Sequence, residues 1–261
     1  MKKQSEMKSG SVKLTKRFRV LLVGAALVLS LTTANYAAAQ AGPAAVYLGS
    51  AGTYAVLGAS TVTSTGPTVV NGDLGVWPGT AYVAGTPAAT VNGSVHAGDV
   101  IAQHAQASLA VAYGDAAGRS TAPIGVAGDL GGKTLAPGLY KSTSSLSLTG
   151  TLTLHGNGVY IFQVASALTV GTGGTIVLSG GATAANVFWQ VGSSATIGTA
   201  ADFKGTIMAL ASVTLDTGAR LNGRALALHG AVTMDSNNVT IPIGSNTVIV
   251  ILPPPPPDHR D

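Results

Sequence analysis

The sequence predicts a mainly β protein, a β-solenoid with one long α-helix packed alongside it. Two observations carry this prediction. First, four stretches share the order hydroxyl, apolar, small or acidic, hydroxyl: Thr169–Thr172, Thr196–Thr199, Thr214–Thr217 and Thr233–Ser236. Their recurrence at a period of roughly 20 residues, with β-branched and small side chains, is typical of solenoid coils. Second, residues 145 to 243 are short apolar runs separated by Gly and Asn, as coil corners require.

A further coil is expected near the N-terminus. Thr61–Ser64 fits the hydroxyl and apolar template, although it lies far from Thr169 in the chain. The sequence therefore predicts an N-terminal coil that is remote in the chain from the others.

One segment has helical periodicity. Between Val100 and Ala117 the apolar residues recur every three or four positions: Ile101, Ala105, Leu109, Ala112 and Ala116. Asp99 is placed to cap the start and Gly118 to end the helix, so we expect a helix over about 99–117. A lone amphipathic helix among strands must bury its apolar stripe, and the side of the solenoid is the natural partner.

The N-terminal segment, 1–39, has the order of a secretory signal peptide. A basic stretch, Lys13–Arg19, precedes the apolar run Val20–Leu31 and the small residues Ala37–Ala39. We expect cleavage near Ala39 and an extracellular protein. The alternative is an uncleaved anchor, but the apolar run is shorter than the ~20 residues of a spanning helix. No second candidate span follows, and residues 244–261 form a Pro-rich tail.

The charge balance argues against nucleic-acid binding. The net charge of +4 comes from 14 basic and ten acidic residues, but seven of the basic ones precede Val20. Without the segment 1–39, seven basic and nine acidic residues remain, a balance of −2. The predicted mature chain therefore lacks the basic surface that nucleic-acid binding needs.

The sequence does not favour an enzyme, and we predict no catalytic residue, metal or cofactor. Asp216 and Asp235 share a template position, with Asp202 nearby, but a role in turns is the simpler interpretation. There is no Cys, and His96, His104, His155 and His229 lack metal-ligand spacing.

A series of motifs, in order over residues 46 to 243, resembles the bacterial, fungal and algal ice-binding (antifreeze) proteins. The resemblance rests on Leu57–Thr63, Asn71–Gly75, Ala112–Arg119, Asp129–Gly132, Pro137–Tyr140, Ser144–Leu146, Tyr160–Gln163, Asn186–Val191, Gly205–Ala209 and Gly223–Ala227. It implies an irregular right-handed β-solenoid domain over residues 40–243 that binds an ice crystal surface, and we expect a monomer. The implied function is adsorption to ice with inhibition of ice growth or recrystallisation. The alternative is a non-catalytic secreted adhesin or cell-surface structural solenoid.

Two sets of hydroxyl residues are candidates for the ice-binding face. Some members of the family carry a Thr-Ala/Gly-x-Thr/Asn motif there, and this favours Thr65, Thr68, Thr149, Thr151, Thr172, Thr175, Thr199, Thr217 and Ser236. Strand parity supplies the other set, because Leu215 should point inward and its neighbours outward: Thr61, Thr169, Thr196, Thr214 and Thr233. Asp202 and Arg220 interrupt the motif with charge, so the first set is not fully regular.

Overall fold

The computed structural model describes residues 42–244, which form parallel strands stacked coil on coil. One α-helix, α1 (Val100–Gly118), and two short 3-10 turns, Gly49–Thr53 and Ala184–Asn186, interrupt the strands. Along the chain the strands are β1 (Tyr54–Gly58), β2 (Thr61–Thr65), β3 (Val69–Asn71), β4 (Asp73–Val76), β5 (Ala81–Val83), β6 (Thr90–Asn92), β7 (Val95–Ala97), β8 (Ile124–Gly125), β9 (Gly128–Asp129), β10 (Thr134–Leu135), β11 (Gly138–Ser142), β12 (Leu146–Leu148), β13 (Thr151–His155), β14 (Tyr160–Val164), β15 (Leu168–Val170), β16 (Thr175–Ser179), β17 (Val187–Val191), β18 (Ala195–Ile197), β19 (Asp202–Ala209), β20 (Val213–Leu215), β21 (Arg220–Ala227), β22 (Val232–Asp235) and β23 (Asn238–Thr240).

The coils have three faces. The helix face contains, in spatial order, β7, β4, β1, the second halves of β21 and β19, β17, β14, β11 and β8. The threonine face contains β5, β2, β22, β20, β18, β15, β12 and β9. The third face contains β6, β3, β23, the first halves of β21 and β19, β16, β13 and β10. The predicted fold class, a β-solenoid with one long helix, is confirmed.

The order of the coils in space differs from their order in the chain. The N-terminal coil of β1, β2 and β3 stacks on the last coil, where β2 pairs with β22 and β3 with β23. The next coil, β4 to β6, lies beyond it at that end, while β8 to β10 lie at the other end. Helix α1 connects β7 to β8 and so carries the chain between the two ends. The predicted N-terminal coil is present, and the C-terminal coil is its stacking partner.

The inside of the solenoid is a continuous apolar core. Leu, Val, Ile and Ala side chains that point inward from the three faces are fully buried in it. Three aromatic rings from successive coils stack within this core, with centroid distances of 5.0 Å from Tyr140 to Phe162 and 3.9 Å from Phe162 to Trp189. Phe203, from the third face, packs against Trp189 at 5.1 Å with its ring tilted by 46°. Because parallel strands in register place Tyr140, Phe162 and Trp189 directly above one another, each of these three coils presents its ring to the next.

A second apolar cluster lies between α1 and the helix face. Ala105, Leu109, Ala112 and Ala116 pack there against side chains of the sheet, including Leu57, Ile161, Phe188, Met208 and Leu226. The prediction for Ile101 was wrong, because its side chain is 52% exposed and Ala102 is buried instead. Ile101 and Ala102 precede Ala105 by four and three residues, so the spacing permits either of them, and the packing buries Ala102. The helix also includes Gly118 and has Arg119 as its C-cap.

The predicted cap of α1 is present and is a target for mutation. The Asp99 carboxylate accepts hydrogen bonds from Ala102 N and His96 Nδ1, each at 2.8 Å, and these bonds hold the pKa of Asp99 below its ordinary value. A carboxyl group with a lowered folded-state pKa stabilises the fold above its unfolded pKa and loses that effect as pH falls through its folded pKa. We therefore expect Asp99→Ala to lower the melting temperature at pH 7, and this difference from the wild type to shrink below about pH 4.

Thermal unfolding followed by circular dichroism at several pH values measures this effect. Asp99→Asn is the matched control, because Asn retains an oxygen that caps the helix. It should be more stable than Asp99→Ala at pH 7. Equal melting temperatures for wild type and Asp99→Ala at pH 7 would show that the cap contributes nothing.

Three predictions concern the ends of the chain. The signal peptide over residues 1–39, its cleavage near Ala39 and nearly all of the Pro-rich tail over 244–261 lie outside the described residues. Among residues 42–244, no helix combines the length and the apolar composition that crossing a membrane requires.

Candidate functional site

A straight row of hydroxyl side chains runs along the middle of the threonine face. Strand pairing places each member directly opposite the next: Thr63, Thr233, Thr214, Thr196, Thr169 and Ser147. We call these six residues the central row. Val83 continues the row beyond Thr63, and Asp129 ends it beyond Ser147. At the usual spacing of neighbouring strands, about 4.8 Å, the six hydroxyl residues extend over about 24 Å.

The central row faces outward because its strands alternate. In β20, Val213 and Leu215 are buried in the core while Thr214 between them is half-buried at the surface. The same alternation holds in β18, where Thr196 lies between the buried Ala195 and Ile197. In the part of the chain that the structure describes, no hydroxyl of the central row has a hydrogen-bond partner in the protein. These hydroxyl groups are therefore available to water.

A second row lies two residues earlier on each strand, toward the helix face. We call it the small-residue row, and its members are Ala81, Thr61, Ala231, Ser212, Ser194, Ala167 and Ser145. Three of its hydroxyl groups accept hydrogen bonds from the next coil: Ser145 from Ala167 N, Ser194 from Ser212 N and Ser212 from Ala231 N, at 3.2 to 3.3 Å. All side chains of this row are small, and Thr61 is the largest of them.

The structure places four members of the parity-based set in the central row, namely Thr169, Thr196, Thr214 and Thr233. The fifth, Thr61, lies in the small-residue row, and Thr63 takes the position in the central row. In the sequence template, Thr61 is the first hydroxyl residue and aligns with Thr233. In the structure the pairing of β2 with β22 is shifted by two residues, so Thr63 lies opposite Thr233. A sequence pattern of Thr at 61, 63 and 65 could not distinguish these registers.

A third row lies on the other side of the central row, toward the third face. Its members are Thr65, Asp235, Asp216, Gly198, Gly171 and Thr149, and we call it the carboxylate row. The Asp235 carboxylate accepts hydrogen bonds from the hydroxyls of Thr217 and Ser236, which hold its pKa below the ordinary value. At the end of the solenoid, the Thr149 hydroxyl donates to Asp129.

The Thr-Gly/Ala motif forms the corner between the threonine face and the third face. The residue that turns the chain has a positive φ in six coils: 81° at Gly150, 66° at Gly173, 55° at Ala200, 71° at Gly218, 56° at Ser236 and 67° at Gly66. In five of these coils it is the second residue of a Thr-Gly/Ala pair, whereas Ser236 follows Asp235. Left-handed backbone turns the chain sharply and favours Gly. The motif therefore recurs because each coil needs this turn, and Thr172, Thr199 and Thr217 are exposed at the corner beside it.

The motif-based set consequently does not form one surface. Thr65 and Thr149 are in the carboxylate row, and Thr172, Thr199, Thr217 and Ser236 belong to the corner. Thr151 and Thr175 pair with each other on the third face. Thr68 is fully buried and its hydroxyl accepts a hydrogen bond from Asn237 N at 3.2 Å, so it cannot face a ligand. The alternation of inward and outward side chains does not continue through the corner, and the sequence did not reveal where the corner lies.

The third face carries charged side chains of both signs. Lys204 and Asp202 form an ion pair at 2.5 Å, and Arg220 is exposed in the next strand. A groove of about 610 Å³ on this face is lined by these three residues and by Asn222 and Asn238, among others. Asp202 therefore lies on a different face from Asp216 and Asp235, and the three carboxylates do not form a cluster.

Two of the His side chains each contact one neighbouring polar side chain. His96 contacts Asp99, and His155 contacts Ser179 at 3.1 Å. Within residues 42–244, no group of three or more His, Asp or Glu side chains is arranged to hold a metal ion.

Together these features define a class: a parallel β-solenoid with a helix on one face and an uncharged row of free hydroxyl groups along another. The Ice-binding-like family model matches residues 56–240, and the chain belongs to this family.

Similar proteins and structures carry related names. The ice-binding protein of Nostoc sp. (strain HG1) is 44% identical over 234 residues, which are 88% of this chain and 84% of that protein. A crystal structure of an ice-binding protein from an Antarctic biological consortium has 47% identity and a TM-score of 0.75, covering 77% of this chain and 93% of that one. A crystal structure of the ice-binding protein of the Antarctic ascomycete Antarctomyces psychrotrophicus has 37% identity and a TM-score of 0.72, covering 76% of this chain and 99% of that one.

Proposed function

We propose that the protein binds ice through the threonine face and thereby inhibits ice growth or recrystallisation. The observation that carries this proposal is the central row, in which six hydroxyl residues stand in unbroken register without protein hydrogen-bond partners. The names of the relatives and structural neighbours support the same function for this chain.

The physical basis is an ordered array of weak contacts. Each Thr presents a methyl group, beside which water is orientationally restricted, and a hydroxyl group that anchors water by hydrogen bonds. Thr is restricted at χ1 because it is β-branched, and a stacked sheet fixes the distance between successive rungs. The row therefore holds a periodic layer of water with little further loss of entropy. A single contact of this kind is weak, and only the whole row retains the protein on a crystal.

Adsorption needs no covalent step, so the proposal includes no catalytic group, cofactor or metal. The signal-peptide pattern of residues 1–39 supports export to the medium, where extracellular ice forms. We further propose that the protein acts as a monomer, because one threonine face presents the whole row.

Ice partitioning tests the proposal. The protein, exported from a bacterial host, is frozen slowly in dilute solution, and its concentration in the ice is compared with that in the remaining liquid. Serum albumin is the control for passive trapping. We expect the protein to be enriched in the ice and to slow recrystallisation. Exclusion from the ice together with binding to cells or polysaccharide would instead support the secreted adhesin.

A further inference from the structure

The two rows that flank the central row differ in chemistry, and this difference determines the width of the ice contact. We propose, resting on the proposed function, that ice covers the central row and the small-residue row but stops at the carboxylates of Asp216 and Asp235. The contact is then asymmetric, and the two carboxylates limit its strength.

The small-residue row is suited to lie against a crystal. Its members are Ala, Ser and Thr, and none of them carries a charge. The hydroxyls of Ser145, Ser194 and Ser212 already accept backbone hydrogen bonds from the neighbouring coil. Covering this row with ordered water therefore leaves no buried polar group without a partner, and it adds a second strip of small side chains beside the threonines.

The carboxylate row is unsuited to the same contact. Asp235 lies two residues after Thr233 and pairs with Thr65, while Asp216 follows Leu215 and so lies two residues after Thr214. Each of the two residues lies about 7 Å from the central row along the chain. An ionised carboxylate holds its water strongly, and replacing that water by a fixed lattice costs free energy.

No side chain within residues 42–244 neutralises these charges. Within residues 42–244 neither Asp216 nor Asp235 forms an ion pair, and the Asp216 carboxylate has no hydrogen-bond partner in the protein. The hydroxyls of Thr217 and Ser236 hold the pKa of Asp235 below its ordinary value, so this group stays ionised at neutral pH. Of the other members of the row, Gly171 and Gly198 offer no side chain to a crystal, and Thr65 and Thr149 lie at its ends.

Two opposite substitutions test the asymmetry. Asp216→Asn removes a charge at constant size and should raise the equilibrium fraction of protein in ice several-fold. Ala167→Asp introduces a carboxylate into the small-residue row beside Thr169 and should remove most of the enrichment. Ala110→Asp places the same carboxylate on the exposed surface of α1, on another face, and should behave as wild type. Circular dichroism melting curves establish that the variants are folded.

The outcomes separate the two proposals. If the wild type is enriched in ice but Asp216→Asn is not more enriched, and Ala167→Asp resembles Ala110→Asp, the asymmetric contact is overturned while ice binding stands. Because the Asp216 carboxylate has no hydrogen-bond partner among residues 42–244, Asp216→Asn remains informative even if Ala167→Asp fails to fold. A wild type that stays in the liquid overturns the proposed function itself, and the inference with it.

Discussion

Thr214→Tyr should lose nearly all ice adsorption and keep its fold. Thr214 lies in the interior of the central row, between Thr233 and Thr196. A Tyr ring at this position extends several ångströms beyond the neighbouring methyl and hydroxyl groups, so the crystal cannot touch the rungs on either side. We expect the ice-bound fraction to fall at least about tenfold, which corresponds to about 1.4 kcal/mol or more of adsorption free energy. Ice partitioning measures it.

The control for Thr214→Tyr is the same substitution on another face. Thr153 is half-buried in β13 on the third face, opposite Val177, and its hydroxyl has no partner among the described residues. Thr153→Tyr should adsorb to ice as the wild type does. Equal losses in the two variants would mean that the substitution acts through the fold, and equal retention would exclude the central row from the contact.

Trp189→Ala should lower the free energy of unfolding by about 3 to 5 kcal/mol. Trp189 is fully buried, stacks on Phe162 with centroids 3.9 Å apart and lies 5.1 Å from Phe203. Its indole Nε1 also donates a hydrogen bond to the Lys204 carbonyl at 3.1 Å. Removing the ring leaves a cavity in the middle of the aromatic stack and breaks the contact between two coils. Equilibrium denaturation by urea measures the loss.

Trp189→Phe separates packing from hydrogen bonding in this prediction. Phe retains a ring between Phe162 and Phe203 but removes the N–H donor, so its loss of stability should be clearly smaller than that of Trp189→Ala. If the urea concentration at the midpoint of unfolding is the same for Trp189→Ala and the wild type, the stacked rings do not stabilise the contact between the coils.

The fold was predictable because its signals are local and repeated. The recurring hydroxyl template, Gly and Asn at corners and one segment with helical spacing are all visible without knowing which coils touch. The stacking of β2 on β22 was not visible, because these strands come from opposite ends of the domain and such a pairing leaves no local pattern. Ile101 was misassigned for a smaller reason, since Ile101 and Ala102 both fit an apolar helical spacing and only the packing distinguishes them.

The candidate face was harder to predict because strand parity does not continue through a corner. Thr214 and Thr217 lie close together in the chain, and the positive φ of Gly218 turns the chain between faces. Coils also differ in corner length: Asp235 is followed at once by Ser236 with positive φ, whereas Asp216 is followed by Thr217 before Gly218. Residues that align in sequence, such as Thr217 and Ser236, are therefore not equivalent in space. The Thr-Gly motif therefore indicates the turn at the corner and does not by itself identify the ice-binding face.

One pair of variants from a single coil tests most directly which hydroxyl residues face the ice. Thr196 lies in the central row, and Thr199 lies at the exposed corner of the same coil. Fluorescently labelled Thr196→Tyr and Thr199→Tyr proteins are applied to a growing single ice crystal, and the labelled area is compared with that of the wild type. We predict that Thr196→Tyr leaves the crystal dark and Thr199→Tyr labels it as the wild type does. Labelling by Thr196→Tyr together with its loss in Thr199→Tyr would contradict the central row and place the contact at the corner.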